Sequence, residues 1–138
     1  MKTIIINIAA VVVGLLIGGM VNMGIIMAGS AIVPLPAGVD PNDMESLRAA
    51  MPLFEAKDFA IPFLAHALGA LVGALVAALI AASHRMKIAI GVSACFLIGG
   101  ITAVYLLPAP LWFEALDLIV AYIPMGFLGG LIAGRFRR

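Results

Sequence analysis

Four of the seven acidic residues in this sequence, which could bind a ligand or exchange protons, occur in two matching groups. Residues 54–58 read Phe-Glu-Ala-Lys-Asp and residues 113–117 read Phe-Glu-Ala-Leu-Asp, each shortly after a proline. Carboxylates gathered at the mouth of a membrane pore attract cations. The candidate ligand-binding carboxylates are Glu55, Asp58, Glu114 and Asp117. Ordinary helix starts on the outer side of a membrane explain the same acids, and Lys57 would neutralise part of their charge.

His66 is the one ionisable residue within the apolar run 59–82. An ionisable residue inside a membrane span is a functional hypothesis by default, and this one would lie about 12 Å below the outer end of its helix. It is interpreted as a proton-relay or ligand-binding histidine, with a neutral imidazole bonded to a neighbouring helix as the alternative. A metal site with the carboxylates is a third interpretation, although no zinc spacing is present. The partners considered for His66 are Asn22, Tyr105, Tyr122 and Asp117.

Motifs for the common catalytic and cofactor sites are absent from the sequence. It contains no phosphate-binding glycine loop, nucleophile elbow, HExxH motif or paired histidines for haem. Its single cysteine, Cys95, excludes an internal disulfide and a CxxC site. No basic patch is interleaved with aromatic residues, so nucleic acid is not an expected partner. We therefore expect no cofactor and no metal, and favour a protein that is not an enzyme.

The composition places these residues in a lipid environment. Hydrophobic residues make up 64% of the 138 residues and charged residues 11%, against about 45–50% and about 25% in soluble domains. A membrane helix needs about 20 apolar residues. The sequence therefore predicts an all-α integral membrane protein with one domain over 1–138. Its four transmembrane helices are predicted at about 3–30, 59–82, 88–107 and 112–134.

The first apolar run is interpreted as a retained helix rather than a cleaved signal peptide, because its apolar part is longer than the usual 7–15 residues. The fourth helix is expected to begin near Trp112, which brings Glu114 and Asp117 into its first turns. Acids are favoured there by the exposed N–H groups at a helix start.

Acidic and basic residues lie on opposite sides of the predicted spans, which predicts the orientation. The acids flank the first and third connections, whereas most Lys and Arg residues lie at the N-terminus, the second connection and the C-terminus. Lys and Arg near span ends mark the cytoplasmic side. Both termini are therefore expected in the cytoplasm and loops 1 and 3 outside it, in a bacterial inner membrane.

The sequence also contains signs of an internal repeat. Leu16-Ile17-Gly18-Gly19 matches Leu97-Ile98-Gly99-Gly100, and each copy precedes one of the Phe-Glu-Ala-x-Asp groups. The chain is therefore interpreted as two tandem parallel-repeat hairpins, related by a pseudo-two-fold axis along the membrane normal. Chance similarity between apolar segments is the alternative.

The two proposed copies differ by an extracytoplasmic insert at about 30–52. It begins with an irregular Pro34–Gly38 segment. Asp40 is then expected as an N-cap, with Pro41 at the first position of a short amphipathic helix that ends near Met51. This helix would lie on the outer membrane surface or, alternatively, act as a lid over an outward-facing site.

Small residues recur every four positions in all four spans, a spacing that lets helix backbones approach closely in lipid. The predicted helix-packing glycines are Gly14, Gly18, Gly69, Gly73, Gly99, Gly126 and Gly130. Pro124 lies inside the fourth span and is expected to kink it, since proline removes an intrahelical hydrogen bond. The number of such faces favours a homo-oligomer, with the lipid bilayer and a membrane protein as its other expected partners.

The leading functional hypothesis is an oligomeric channel or transporter for a small ion or solute. The alternative is a non-catalytic accessory or scaffold protein that packs against a partner complex, and the third is an intramembrane enzyme or redox cofactor carrier. The surroundings of His66 discriminate between the first two. A solvated outward cavity favours transport, whereas a dry hydrogen-bonded pocket favours a scaffold.

Overall fold

The structure is a computed structural model that describes residues 1–136, and within this range the chain is helical and contains no strand. The α-helices are α1 Lys2–Gly29, α2 Met44–Ala50, α3 Ala60–Ile80, α4 Arg85–Leu106, α5 Leu111–Val120 and α6 Ile123–Phe136. Two short 3-10 turns, Met51–Leu53 and Ala56–Phe59, lead into α3. Arg137 and Arg138, which belong to the predicted cytoplasmic end, lie outside the described residues.

Four helical segments are long and apolar enough to cross a membrane, which confirms the prediction of an all-helical fold with four apolar helices of that length. They are Lys2–Gly29, Ala56–Ile80, Arg85–Leu106 and Leu111–Phe136. The largest disagreement in a boundary is the start of α4, which includes Arg85 and Lys87. Charged residues do not stop a helix, because their long side chains reach the interface while the backbone remains helical.

Helix α3 is the central element of the bundle and contacts α1, α4, α5 and α6. Its buried residues are all alanine or glycine. Side chains of this size let neighbouring backbones approach on several sides. The members of this buried set are Ala65, Ala67, Gly69, Ala70, Gly73, Ala74, Ala77 and Ala78.

Most of the glycines expected at helix contacts lie where a Cβ atom would not fit. A Cβ on Gly14 would lie 2.6 Å from the carbonyl oxygen of Gly73, and one on Gly18 would lie 2.5 Å from that of Gly69. These two crossings join α1 to α3. Between α6 and α4, Gly126 packs against Ser93.

Gly99 has a different environment from the other glycines in that set. A Cβ atom on it would meet nothing within 4 Å, and the residue lies on the outer face of α4. Its neighbour Gly100 is buried instead, directly against the ring of Tyr122. A helix turns by about 100° per residue, so two adjacent glycines face different surroundings.

The insert begins its helix later than the sequence analysis expected. The N-cap is Asp43, whose side chain accepts a hydrogen bond from the Glu45 amide at 3.1 Å. Asp40 instead accepts from the Asn42 amide at 2.9 Å. This local bond stabilises a tight turn through Pro41, so Asp40 precedes the turn and does not cap α2.

The fourth span is interrupted between α5 and α6, at Ala121 and Tyr122. Pro124 is the second residue of α6. Because proline cannot donate to the carbonyl four residues earlier, the bond to Val120 that would continue α5 is missing. The interruption buries Tyr122, which is only 2% exposed, against α4.

Candidate functional site

Three side chains form a hydrogen-bonded cluster, here called the His66 cluster, in which Asp117 and Tyr122 are buried and His66 is partly exposed. Nδ1 of His66 lies 2.9 Å from each carboxylate oxygen of Asp117. The Tyr122 hydroxyl donates to Oδ2 of Asp117 at 3.1 Å. Asp117 is only 4% exposed, and a buried carboxylate is costly unless it accepts such bonds.

The cluster constrains the protonation of the histidine ring. An ionised carboxylate only accepts hydrogen bonds, so Nδ1 carries a proton when Asp117 is charged. Nε2 then accepts when the ring is neutral and donates when the ring is protonated. Both forms of the ring therefore keep the His66–Asp117 contact.

Two helical features position the cluster. Tyr122 lies in the interruption between α5 and α6, five residues after Asp117. Its ring stacks on the His66 ring, with 5.7 Å between centroids and an interplanar angle of 29°. Gly100 of α4 supports the other side of that ring, because a Cβ there would lie 2.6 Å from Cζ of Tyr122. The absence of a side chain at position 100 thus makes space for the tyrosine.

A partly enclosed cavity of about 310 Å³ extends from the cluster to the end of the bundle that carries the insert and the α4–α5 connection. We call this the acidic end. The cavity walls are mainly apolar and include Ile26 of α1, Val104 of α4 and Phe113 of α5. Leu47 and Met51 of the insert also line it. Helix α2 and the turn after it therefore cover the cavity.

The charged groups that line the cavity are all acids, apart from the titratable His66. They are Asp58, Glu114 and Asp117, and among residues 1–136 no Lys or Arg side chain lines it. Oδ2 of Asp58 accepts from the Glu55 amide at 2.7 Å, and Oε1 of Glu114 accepts from the Ala109 amide at 3.0 Å. Both carboxylates are thus held in place by the backbone of a helix start.

The cavity ends at the depth of the His66 cluster. One turn beyond His66, Gly69 of α3 packs against Gly18 and Asn22 of α1. On the other side of α3, a Cβ on Gly129 would lie 2.8 Å from the carbonyl oxygen of Leu71. The bundle therefore contains a cavity toward the acidic end and is closely packed toward the other.

The structure brings together some, but not all, of the residues that the sequence analysis proposed for the site. Asp117 and Tyr122 contact His66, and Asp58 and Glu114 line the same cavity. The remaining three nominated residues lie elsewhere. Glu55 is exposed and paired with Lys57 at 2.8 Å, Tyr105 is 79% exposed, and Asn22 packs on Gly69.

The two Phe-Glu-Ala-x-Asp copies have different local structures. In the first, Glu55 is the N-cap of a 3-10 turn and Asp58 bonds back to its amide. In the second, Glu114 lies in the first turn of α5 and Asp117 points into the bundle. The second copy has one residue more than the first between its proline and its phenylalanine, namely Trp112. One extra residue turns the following positions of a helix by about 100° relative to the proline.

Sequence reasoning missed two residues that position the helices. Gly100 was overlooked in favour of Gly99. Asn7 of α1 was also overlooked, although its Oδ1 accepts from the Ala82 amide at 3.0 Å and its Nδ2 donates to Oγ of Ser83 at 3.0 Å. The available signal was an asparagine in an otherwise apolar span, since such a residue needs a hydrogen-bonding partner there.

The arrangement shows little sign of metal chemistry. Within residues 1–136, no three His, Cys, Asp or Glu side chains come together as a metal site requires. The polar groups that the site presents are the His66 ring and the carboxylates of Asp58, Glu114 and Asp117. Compared with protein family models, with curated proteins and with solved structures, the chain matches none.

Proposed function

We propose that this chain is a small integral membrane protein that binds a small, mainly apolar molecule in the cavity and transports it. The observation that carries the proposal is the position of the His66 cluster, an ionisable group at the closed end of an apolar cavity. Ionisable residues within membrane spans mark substrate and proton pathways. Ligand cavities are lined in the same way, by apolar walls and a few convergent polar groups.

Membrane insertion is supported by what the outer faces of the helices expose. Helix α1 has 28 residues, and large apolar side chains such as Ile8, Leu16 and Met20 are more than half exposed. Lipid chains would cover these side chains without the cost of exposing them to water. The proposed orientation places the acidic end outside the cytoplasm, as the Lys and Arg distribution indicates.

Transport is supported by the difference between the two ends of the bundle. A cavity near one end of a bundle that is closely packed at the other is compatible with one state of alternating access. The α5–α6 interruption borders the site, and discontinuous helices often form transporter sites. The cover made by Leu47 and Met51 fits the lid interpretation of the insert.

The scaffold alternative is favoured by one observation. The three side chains of the His66 cluster hydrogen-bond to one another. Such a network stabilises a helix bundle without any ligand. The transporter and scaffold proposals predict different effects of filling the cavity. Filling it abolishes binding and flux in a transporter, whereas a scaffold has none to lose.

The experiment uses a built-in reporter. Trp112 is the single tryptophan, and it contacts Phe59 and Phe113, both of which line the cavity. Purified protein in phosphatidylcholine nanodiscs is titrated with N-hexylacetamide and with hexyltrimethylammonium while Trp112 fluorescence is followed. We expect saturable binding of at least one probe.

The matched variants lie on adjacent residues of α4. Ala103→Phe fills the cavity, whereas Thr102→Phe adds the same ring on the exposed face. We expect Ala103→Phe to abolish saturable binding and uptake of the bound probe into proteoliposomes, and Thr102→Phe to preserve both. Equal binding by the two variants would overturn the cavity as the site, and binding without uptake would overturn transport.

A further inference from the structure

We propose that the molecule bound in this cavity is an organic cation, with one ammonium group and a short apolar tail. The inference rests on the proposed function, because it names the class of ligand that the same cavity takes.

The charges around the cavity have one sign. Asp58, Glu114 and Asp117 line it, with no Lys or Arg side chain among the described lining residues. The nearest base in the sequence, Lys57, pairs with the exposed Glu55 instead. Coulomb energies grow as the effective dielectric falls below that of water. An anionic ligand would therefore be repelled by three acids, and a cationic one attracted.

Two of the carboxylates are open to an ammonium head. A carboxylate offers about four lone-pair sites, and a head that carries no N–H group is attracted by the negative charge alone. Asp58 and Glu114 each have a backbone amide bonded to one oxygen, whereas both oxygens of Asp117 contact the His66 ring. The cation is therefore expected near Asp58 and Glu114, with its tail directed toward the His66 cluster.

The remaining lining favours an organic cation over a metal ion. Phe59 and Phe113 border the cavity, and aromatic faces attract ammonium groups. Divalent metal ions need several oxygen ligands at short range, and residues 1–136 hold no cluster of three acids or other ligands. Apolar walls such as Val104 and Met51 provide contacts for a hydrocarbon tail but none for a hydrated ion.

The test compares three probes with one tail and different head charges, in nanodiscs of zwitterionic phosphatidylcholine. They are hexyltrimethylammonium, N-hexylacetamide and hexanesulfonate, each titrated against Trp112 fluorescence with Ala103→Phe as the blank. We expect the cation to bind at least tenfold more tightly than the neutral amide, and the anion most weakly.

A double variant, Asp58→Asn with Glu114→Gln, removes the charges and keeps amide oxygens that can accept the same backbone bonds. It should lower the affinity for the cation to that for the amide. Glu45→Gln, which removes an exposed acid outside the cavity, should leave the preference intact. If the amide binds as tightly as the cation, the cation proposal fails and the cavity stands. If no probe distinguishes wild type from Ala103→Phe, the proposed function itself fails.

Discussion

At the residue scale, His66 and Asp117 form a unit whose net charge depends on one proton. With a neutral ring the pair carries one negative charge, and with a protonated ring it is neutral. The groups that face the ring are Asp117 and Tyr122, and Asp58 and Glu114 line the same cavity. A proton on His66 thus reduces the attraction of the site for a cation without adding a new contact.

Replacing the ring tests this contribution. His66→Gln retains an N–H donor for Asp117 but cannot carry a proton. We expect it to bind hexyltrimethylammonium at least as tightly as wild type, because nothing then offsets the charge of Asp117. Trp112 titrations measure it, and a loss of binding as large as that of Ala103→Phe would mean that the ring itself holds the cation.

At the element scale, the packing of the bundle depends on glycines, because no side chain separates the helices where a glycine lies at their contact. Gly100 is such a place, because the Tyr122 ring occupies the space a Cβ would need. The tyrosine is buried in turn by the α5–α6 interruption. This single glycine therefore couples the packing of α4 to the geometry of the His66 cluster.

Alanine substitutions at the two adjacent glycines test this coupling. Gly100→Ala should lower the free energy of unfolding by about 1–3 kcal/mol, the usual cost of overpacking, and should weaken probe binding by displacing Tyr122. Gly99→Ala adds a methyl group where nothing lies within 4 Å and should change stability by no more than about 0.5 kcal/mol. Unfolding in dodecyl sulfate, followed by Trp112 fluorescence, compares them. Equal losses would mean that the effect does not depend on the contact with Tyr122, because helix propensity alone favours alanine over glycine at both positions.

The same pair shows what sequence can predict for this chain. Apolar run lengths gave the four spans because crossing a membrane requires a fixed length. Small-residue spacing identified contacts such as Gly18 with Gly69, since both lie in regular helices. It could not choose between Gly99 and Gly100, because that choice depends on Tyr122, which lies 22 positions after Gly100, between α5 and α6. Nor could the repeated motif show that Asp117 points inward whereas Asp58 caps a turn.

At the scale of the whole molecule, the bundle divides into two halves. The half at the acidic end contains the cavity and its cover, whereas the other half is closed by glycine and alanine contacts along α3. In the transport that we propose, a molecule that enters from the acidic end would pass only when the packed half separates. Such a movement, or a contact with a second copy, is easiest for a helix whose small residues face outward and are not covered by a neighbouring helix.

Helix α4 has such a surface. Gly91 and Gly99 have open space around them, and Cys95 between them is exposed. Four-residue spacing of small residues is the pattern by which membrane helices associate. We retain the homo-oligomer as a proposal and place its contact on this face, where two Cys95 residues would meet.

This placement predicts a covalent dimer. A disulfide requires Cα atoms within about 7 Å, so oxidation of native membranes with copper phenanthroline should link two copies through Cys95 and give a dimer band on a non-reducing gel. Gly99→Leu should reduce that band, because a large side chain keeps the helices apart. The control is Cys95→Ala with Leu16→Cys, which moves the thiol to an exposed position on α1. If this variant forms dimers as readily as wild type, the cross-link reports random collision and the α4 contact is wrong.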